Sequence, residues 1–308
     1  MSNSKRHHWW PICVSQFWKG SDGRVTRLSP NGESLRQNPK EFGVITHGYS
    51  IRLSRNPSER TVWDYNFENE FQLADDNFPQ VIRWLEGLKR EDRTDILDLT
   101  KRFLPQDVSE EWLERLMEGL VSLCVRSPMN RNASVRLAQS VRNAAIKVRE
   151  KEALTALNMR YQQRKIADAL GTRGKFVVIY SPRREYIFGD GFFHNLTSAA
   201  APPIHPEMMV PLTPNISVLF VQPLQYSIEP RLSTLVVRTE EAEILNHTVQ
   251  VYAKEMIFYR SERPDLTEEF RKGEHYQYSR PHHPIANFVH LIPGVPPRNT
   301  NLDFLFQR

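Results

Sequence analysis

The spacing of apolar residues changes twice along these 308 residues, and that constrains the fold more than any single motif. From Trp10 to Leu53 apolar residues come in short runs broken by Gly, Asn and Pro, as strands require. From Phe78 to about Leu170 they recur every three or four residues, and after Gly174 the short runs return. Strands and helices in separate blocks, rather than in alternation, predict an α+β fold. The expected architecture is a mixed, mainly antiparallel sheet built from N-terminal and C-terminal strands, with a central helical insertion. Four regions follow: a β segment over 1–57; a helical region over 58–173, acidic and then basic; a β-rich region over 174–259 that completes the sheet; and an irregular Pro- and His-rich tail over 260–308.

Local signals fill in these regions. Trp10 to Val14 and Arg24 to Leu28 flank the turn-prone Gly20-Ser21-Asp22-Gly23 and predict a hairpin. Gly43 to Thr46 and Tyr49 to Leu53 are further strand candidates. Helical spacing covers Phe78 to Leu88 and Asp92 to Leu104, and Asp107 with Glu110 opens a helix that carries Trp112, Leu113, Leu116, Met117, Leu120 and Cys124. Another helical stretch runs from about Asn130 to Leu170 and stops at Gly171. Lys175 to Tyr180 and Glu185 to Phe188, joined by Ser181-Pro182-Arg183-Arg184, predict a second hairpin. Met208 to Leu212 and Ile216 to Gln222 predict a third. Thr234 to Arg238 is a strand, Glu240 to Tyr252 a helix and Met256 to Tyr259 the closing strand.

Charge is unevenly placed. Glu59 to Glu118 holds sixteen Asp/Glu against eight Lys/Arg, whereas Arg126 to Lys175 holds twelve Lys/Arg against Glu150, Glu152 and Asp168. The basic stretch reads as a phosphate-binding face, as the partner of the acidic stretch, or as a solvated helix surface. Cys13 and Cys124 are far apart and fit neither a disulfide framework nor a zinc-thiolate site. No run approaches the roughly 18 apolar residues of a spanning helix, and no signal-peptide pattern opens the chain. The chain is therefore expected to be soluble and cytoplasmic, with no membrane partner.

The chemistry-bearing residues are few. Lys5-Arg6-His7-His8-Trp9-Trp10-Pro11 places two imidazoles beside two indoles; held rigidly, the pair serves as acid and base, as metal ligands or as phosphate donors. Structurally, the same histidines cap a strand. Gly189-Asp190-Gly191 presents a carboxylate or forms an Asx-turn. A second pair, His282-His283, sits between prolines in an extended segment. Several classes are excluded: there is no Asp/Glu-x-Lys tripeptide of a restriction-type nuclease core, no P-loop, no dinucleotide fingerprint, no nucleophile elbow, no His-Glu-x-x-His and no deaminase signature.

The ordered set His7-His8-x-x-Pro11, Asp190, Val210-Pro211-Leu212-Thr213-Pro214, Leu245-Asn246 and Val251-Tyr252 resembles the bacterial domain-of-unknown-function 4238 family over nearly the whole chain to about Tyr259. The resemblance implies that the N-terminal His-His and the downstream Asp define the site. Ile12 stands where members usually carry Gln, and Gly189-Asp190-Gly191-Phe192 replaces a Ser-Asp-Asn-Pro-like turn. The resulting expectation is a His/Asp-dependent hydrolase acting on nucleic acid or nucleotide phosphates, in the manner of a toxin or bacterial defence effector. His7, His8, Asp190 and Asn246 would form its catalytic set, and Arg183, Arg184, Arg142, Lys147, Arg164 and Lys165 would bind phosphate. A divalent metal stays open as a cofactor. Two other classes stand beside the enzyme: a non-catalytic nucleic-acid-binding or sensor subunit, and a protein-interaction module.

Overall fold

The computed structural model describes residues 6–46, 50–51, 65–66, 68–131, 155, 159, 163, 166–196, 205–275 and 283–297. The N-terminal part contributes β1 (Arg6–His8), a short helix α1 (Ile12–Ser15), β2 (Val25–Leu28), β3 (Ser34–Gln37), β4 (Val44–Thr46), β5 (Ser50–Ile51) and β6 (Tyr65–Asn66). Helix α2 (Gln72–Gly87), strand β7 (Leu104–Gln106) and helix α3 (Glu110–Arg126) follow. The C-terminal part supplies β8 (Lys175–Tyr180), β9 (Phe188–Gly189), β10 (Glu207–Thr213), β11 (Ile216–Val221), β12 (Leu232–Val236), helix α4 (Thr239–Tyr252), β13 (Ile257–Tyr259) and two short helices, α5 (Glu268–Arg271) and α6 (Pro284–Val289).

The fold is α+β, as the block pattern predicts, and the strands are divided between two principal sheets. One has the order β10-β11-β8-β12-β7, with every pair antiparallel except β12 and β8. The other has the order β3-β2-β13-β9 and joins N-terminal to C-terminal strands. β8, β11 and β12 are buried along their whole length, which explains their continuous apolar runs. Trp10 stacks on Phe188 at 4.3 Å and 7°, and Trp18, Phe42 and Phe258 close around the pair, so the tryptophans are core.

Two expected hairpins are replaced. Residues 12–18 are helical, and β2 turns instead through Ser29–Glu33 onto β3. β8 does not pair with β9; it lies between β11 and β12, and β9 pairs with β13. Neighbouring short runs need not pair when other strands occupy both edges of the first, as β11 and β12 do for β8. The expected helix over 92–104 is absent: Asp92 and Asp98 accept the amide N–H groups of Thr94 and Thr100, leaving a 3-10 turn at Leu99–Lys101 and then β7. The described part of the tail contains α5 and α6 rather than a wholly irregular strap. Acidic and basic stretches meet at Asp75 and Arg126, a bidentate pair with N···O distances of 3.1 and 2.6 Å. Among the described residues, no helix is long and apolar enough to cross a membrane.

Candidate functional site

The segment 185–190 is where three of the singled-out motifs meet. The His-His segment reaches it through its tryptophans: β1 pairs with β4, placing His7 opposite Ile45 and His8 opposite Val44, and Trp9 and Trp10 stack on Phe188. His8 itself is half-buried. Asn246, on the buried face of α4, receives the Ile187 N–H on Oδ1 at 3.0 Å and donates Nδ2 to the Glu185 carbonyl at 2.9 Å. Both ends of its carboxamide are thereby matched to backbone, as if it were a strand residue pairing with 185–187. Asp190 follows β9 and is 1% exposed. Its two carboxylate oxygens accept the N–H groups of Lys254 and Glu255 at 2.8 and 2.9 Å, closing the turn after α4. Burial pushes the Asp190 carboxyl up to about 7, while those amides pull it down.

The glycines beside Asp190 are required by close approach. A Cβ on Gly191 would lie 2.1 Å from the Tyr252 carbonyl oxygen, and one on Gly189 would lie 2.6 Å from the Gly191 carbonyl oxygen. The end of α4 therefore lies directly against this turn.

The basic residues named from sequence divide into two groups. Arg183 donates to Asp92 at 2.9 Å and to Thr94 at 3.0 Å, and Arg184 bridges Glu243 at 2.6 Å and Glu262 at 2.9 Å. Both guanidiniums are thus engaged by carboxylates. Arg142, Lys147, Arg164 and Lys165 lie outside the described residues, as does His282. His283 is buried: its Nδ1 accepts the Ile285 N–H at 3.1 Å at the start of α6, so Nε2, 2.9 Å from the Tyr252 hydroxyl, carries the proton of the neutral ring. Desolvation lowers its pKa to about 4. Among the described residues, no three His, Cys, Asp or Glu side chains come together as a metal cluster.

A concave site adjoins segment 185–190 through Arg260, which Glu185 holds. A pocket of about 430 Å³ lies where the end of α2, the end of β8 and the β10–β11 turn converge, and Ser181, Asn215, Arg90 and Arg260 line it together with Phe17 and Glu86. The Arg90 guanidinium sits 5.0 Å above the Tyr180 ring, and the Tyr180 hydroxyl donates to the Leu85 carbonyl, tying β8 to α2. Arg260 is fixed by Glu185, with Nε at 2.8 Å, and by Asn215 at 3.2 Å. Glu185 also accepts the Ser261 N–H at 2.9 Å, and its pKa is lowered because these hydrogen bonds outweigh its desolvation. Nη1 of Arg260 has no partner among the described residues. The site thus presents a clamped guanidinium, an exposed one, a carboxamide and an aromatic wall.

Arg90 and Arg260 were not legible as site residues. One lies three residues beyond α2 and the other directly follows β13, 170 positions apart, with no motif around either. The signal that existed was Thr213-Pro214-Asn215, readable as a turn but not as the floor of a pocket. Compared with known proteins, the chain matches no family model, no curated protein and no solved structure.

Proposed function

We propose that this protein binds a phosphate-bearing ligand, a nucleotide or a nucleic-acid backbone, in the pocket between α2, β8 and the β10–β11 turn. The observation that carries the reading is the presence of Arg90 and Arg260 on one 430 Å³ concavity, a volume within the range of small-molecule sites. Guanidiniums match phosphate oxygens with paired N–H donors, and Arg260 keeps one terminal nitrogen for such a contact. Phe17 offers a flat apolar surface to a base. This is the binding or sensor class of function, with the substrate class that the sequence pointed to. Two free thiols, Cys13 and Cys124, fit a reducing, cytoplasmic setting.

A second reading, hydrolysis of the same phosphates, has one observation in its favour. Trp10, which follows the His7-His8 pair, stacks on Phe188, and Asn246 bonds the backbone at Glu185 and Ile187, so parts of the expected set His7, His8, Asp190 and Asn246 lie along one segment. Weighing against it, Asp190 and Asn246 spend their polar atoms on backbone groups. The binding reading is tested by titrating the protein with nucleoside mono-, di- and triphosphates and short RNA and DNA at several salt concentrations. Affinity that rises with phosphate number and falls with salt is expected. Binding indifferent to both would overturn the reading.

A further inference from the structure

His194 lies in a segment that covers the outer edge of β10. The Met209 N–H donates to the Phe193 carbonyl at 2.9 Å and the Asn195 N–H to the Glu207 carbonyl at 3.1 Å. Those two bonds flank His194 and Met208, which therefore oppose each other as a non-hydrogen-bonded antiparallel pair. In that arrangement facing side chains stand on the same side of the sheet, at the shorter of the two cross-strand separations. On that side α3 supplies Cys124, whose sulfur is 4.0 Å from the Met208 sulfur. Met208 and Cys124 are fully buried and His194 is 6% exposed.

Neither ring nitrogen of His194 has a hydrogen-bond partner. A buried polar group left unsatisfied costs roughly 1–3 kcal/mol, and such a group in a folded protein calls for a reason. Met208 thus pairs with His194 and touches Cys124, and the three side chains are an imidazole, a thioether and a thiol, a soft donor set.

We propose that His194, Met208 and Cys124 bind one copper(I) ion. Charge balance selects a monovalent ion: as the Cu–S bond forms, the Cys124 thiol gives up its proton to solvent, and the thiolate cancels the single positive charge. Imidazole and thioether add none, so a neutral complex results, which a water-free core can hold. A divalent ion would leave an uncompensated charge, and no Asp or Glu among the described residues joins His194 and Cys124 to offset it. No electron is transferred. Because binding releases the thiol proton, it strengthens as pH rises.

The test is an anaerobic titration of the reduced full-length chain with copper(I) in competition with the chelator bathocuproine disulfonate. Wild type is expected to retain one ion per chain, with an X-ray absorption spectrum showing both sulfur and nitrogen neighbours. Cys124→Ser and His194→Phe should each weaken binding by at least tenfold. Met208→Leu, close in volume and expected to fold, should also weaken it. The His7→Ala/His8→Ala variant should bind as wild type does. Complete removal of copper from wild type by the chelator, a nitrogen- and oxygen-only spectrum, or binding lost with His7 and His8 but kept in Met208→Leu would each overturn the proposal.

Discussion

Asp190 shows how a carboxylate that reads as catalytic works as a clasp. Its oxygens close the turn at Lys254 and Glu255, so Asp190→Ala removes the acceptor of two backbone amides and should cost about 1–3 kcal/mol in urea denaturation. A loss below about 0.5 kcal/mol would contradict the clasp. The buried histidines set an acid limit. His194 titrates at about 3 and His283 at about 4 in the fold, against an ordinary 6.5, so the unfolded chain binds protons first. The stability they carry is whole above about pH 6.5 and is lost as pH falls towards 4 and then 3. Asp190 acts in the opposite sense: its pKa is raised to about 7, so its contribution is whole below about pH 4 and is lost as pH rises through 7. Urea midpoints of the metal-free protein should therefore drop on the acid side, and His194→Phe should flatten that limb. An unchanged acid limb in the variant would refute the assignment.

At the level of elements, the close approach between α4 and the turn after β9 explains Gly189 and Gly191. Gly191→Ala would drive a methyl into the Tyr252 carbonyl and should destabilise by about 3 kcal/mol or more, read as a loss of melting temperature; a near-neutral result would contradict the contact. Arg102 belongs to the same scale. It is buried, donates to both oxygens of Glu241 at 2.6 and 2.7 Å and to the Val236 carbonyl at 2.6 Å, and so joins the end of β12 to the first turn of α4. Arg102→Ala leaves Glu241 without its main partner and should cost about 3–5 kcal/mol, checked by chemical denaturation. The elements that were legible in sequence carry their own signal: the runs of β8, β10 and β11, and the α3 stripe with Leu113, Leu116 and Leu120. The pairings of β8 and β9 were not, because partner choice is decided by which surfaces remain to be covered after the chain has folded. The helix expected over 92–104 failed for a local reason, since Asp92 and Asp98 bond to the backbone two residues on and cap turns.

At the level of the whole molecule, the β3-β2-β13-β9 sheet joins N-terminal to C-terminal strands beside one aromatic cluster, and long-range contacts of this kind place Arg90, Tyr180, Asn215 and Arg260 on one pocket. Asn246, one of the residues expected from sequence, adjoins the pocket, because Glu185 holds Arg260 and Asn246 holds the Glu185 carbonyl. Asp190 and Asn246 stood out in sequence, and both tie elements together through backbone groups. The pocket stayed hidden because its residues become a set only through topology. The most direct measurement is the affinity of a nucleoside triphosphate for wild type, for Arg90→Ala and for His7→Ala/His8→Ala, with turnover followed in the same samples. Arg90 is exposed, so the fold should survive its loss, while one charge-assisted contact is worth about 1.5–3 kcal/mol, roughly 10–100-fold in affinity. The account predicts that loss for Arg90→Ala and unchanged binding for the histidine variant, without turnover in any sample. Turnover in wild type that vanishes with His7 and His8, with binding indifferent to Arg90, would contradict it and place the site on the histidines.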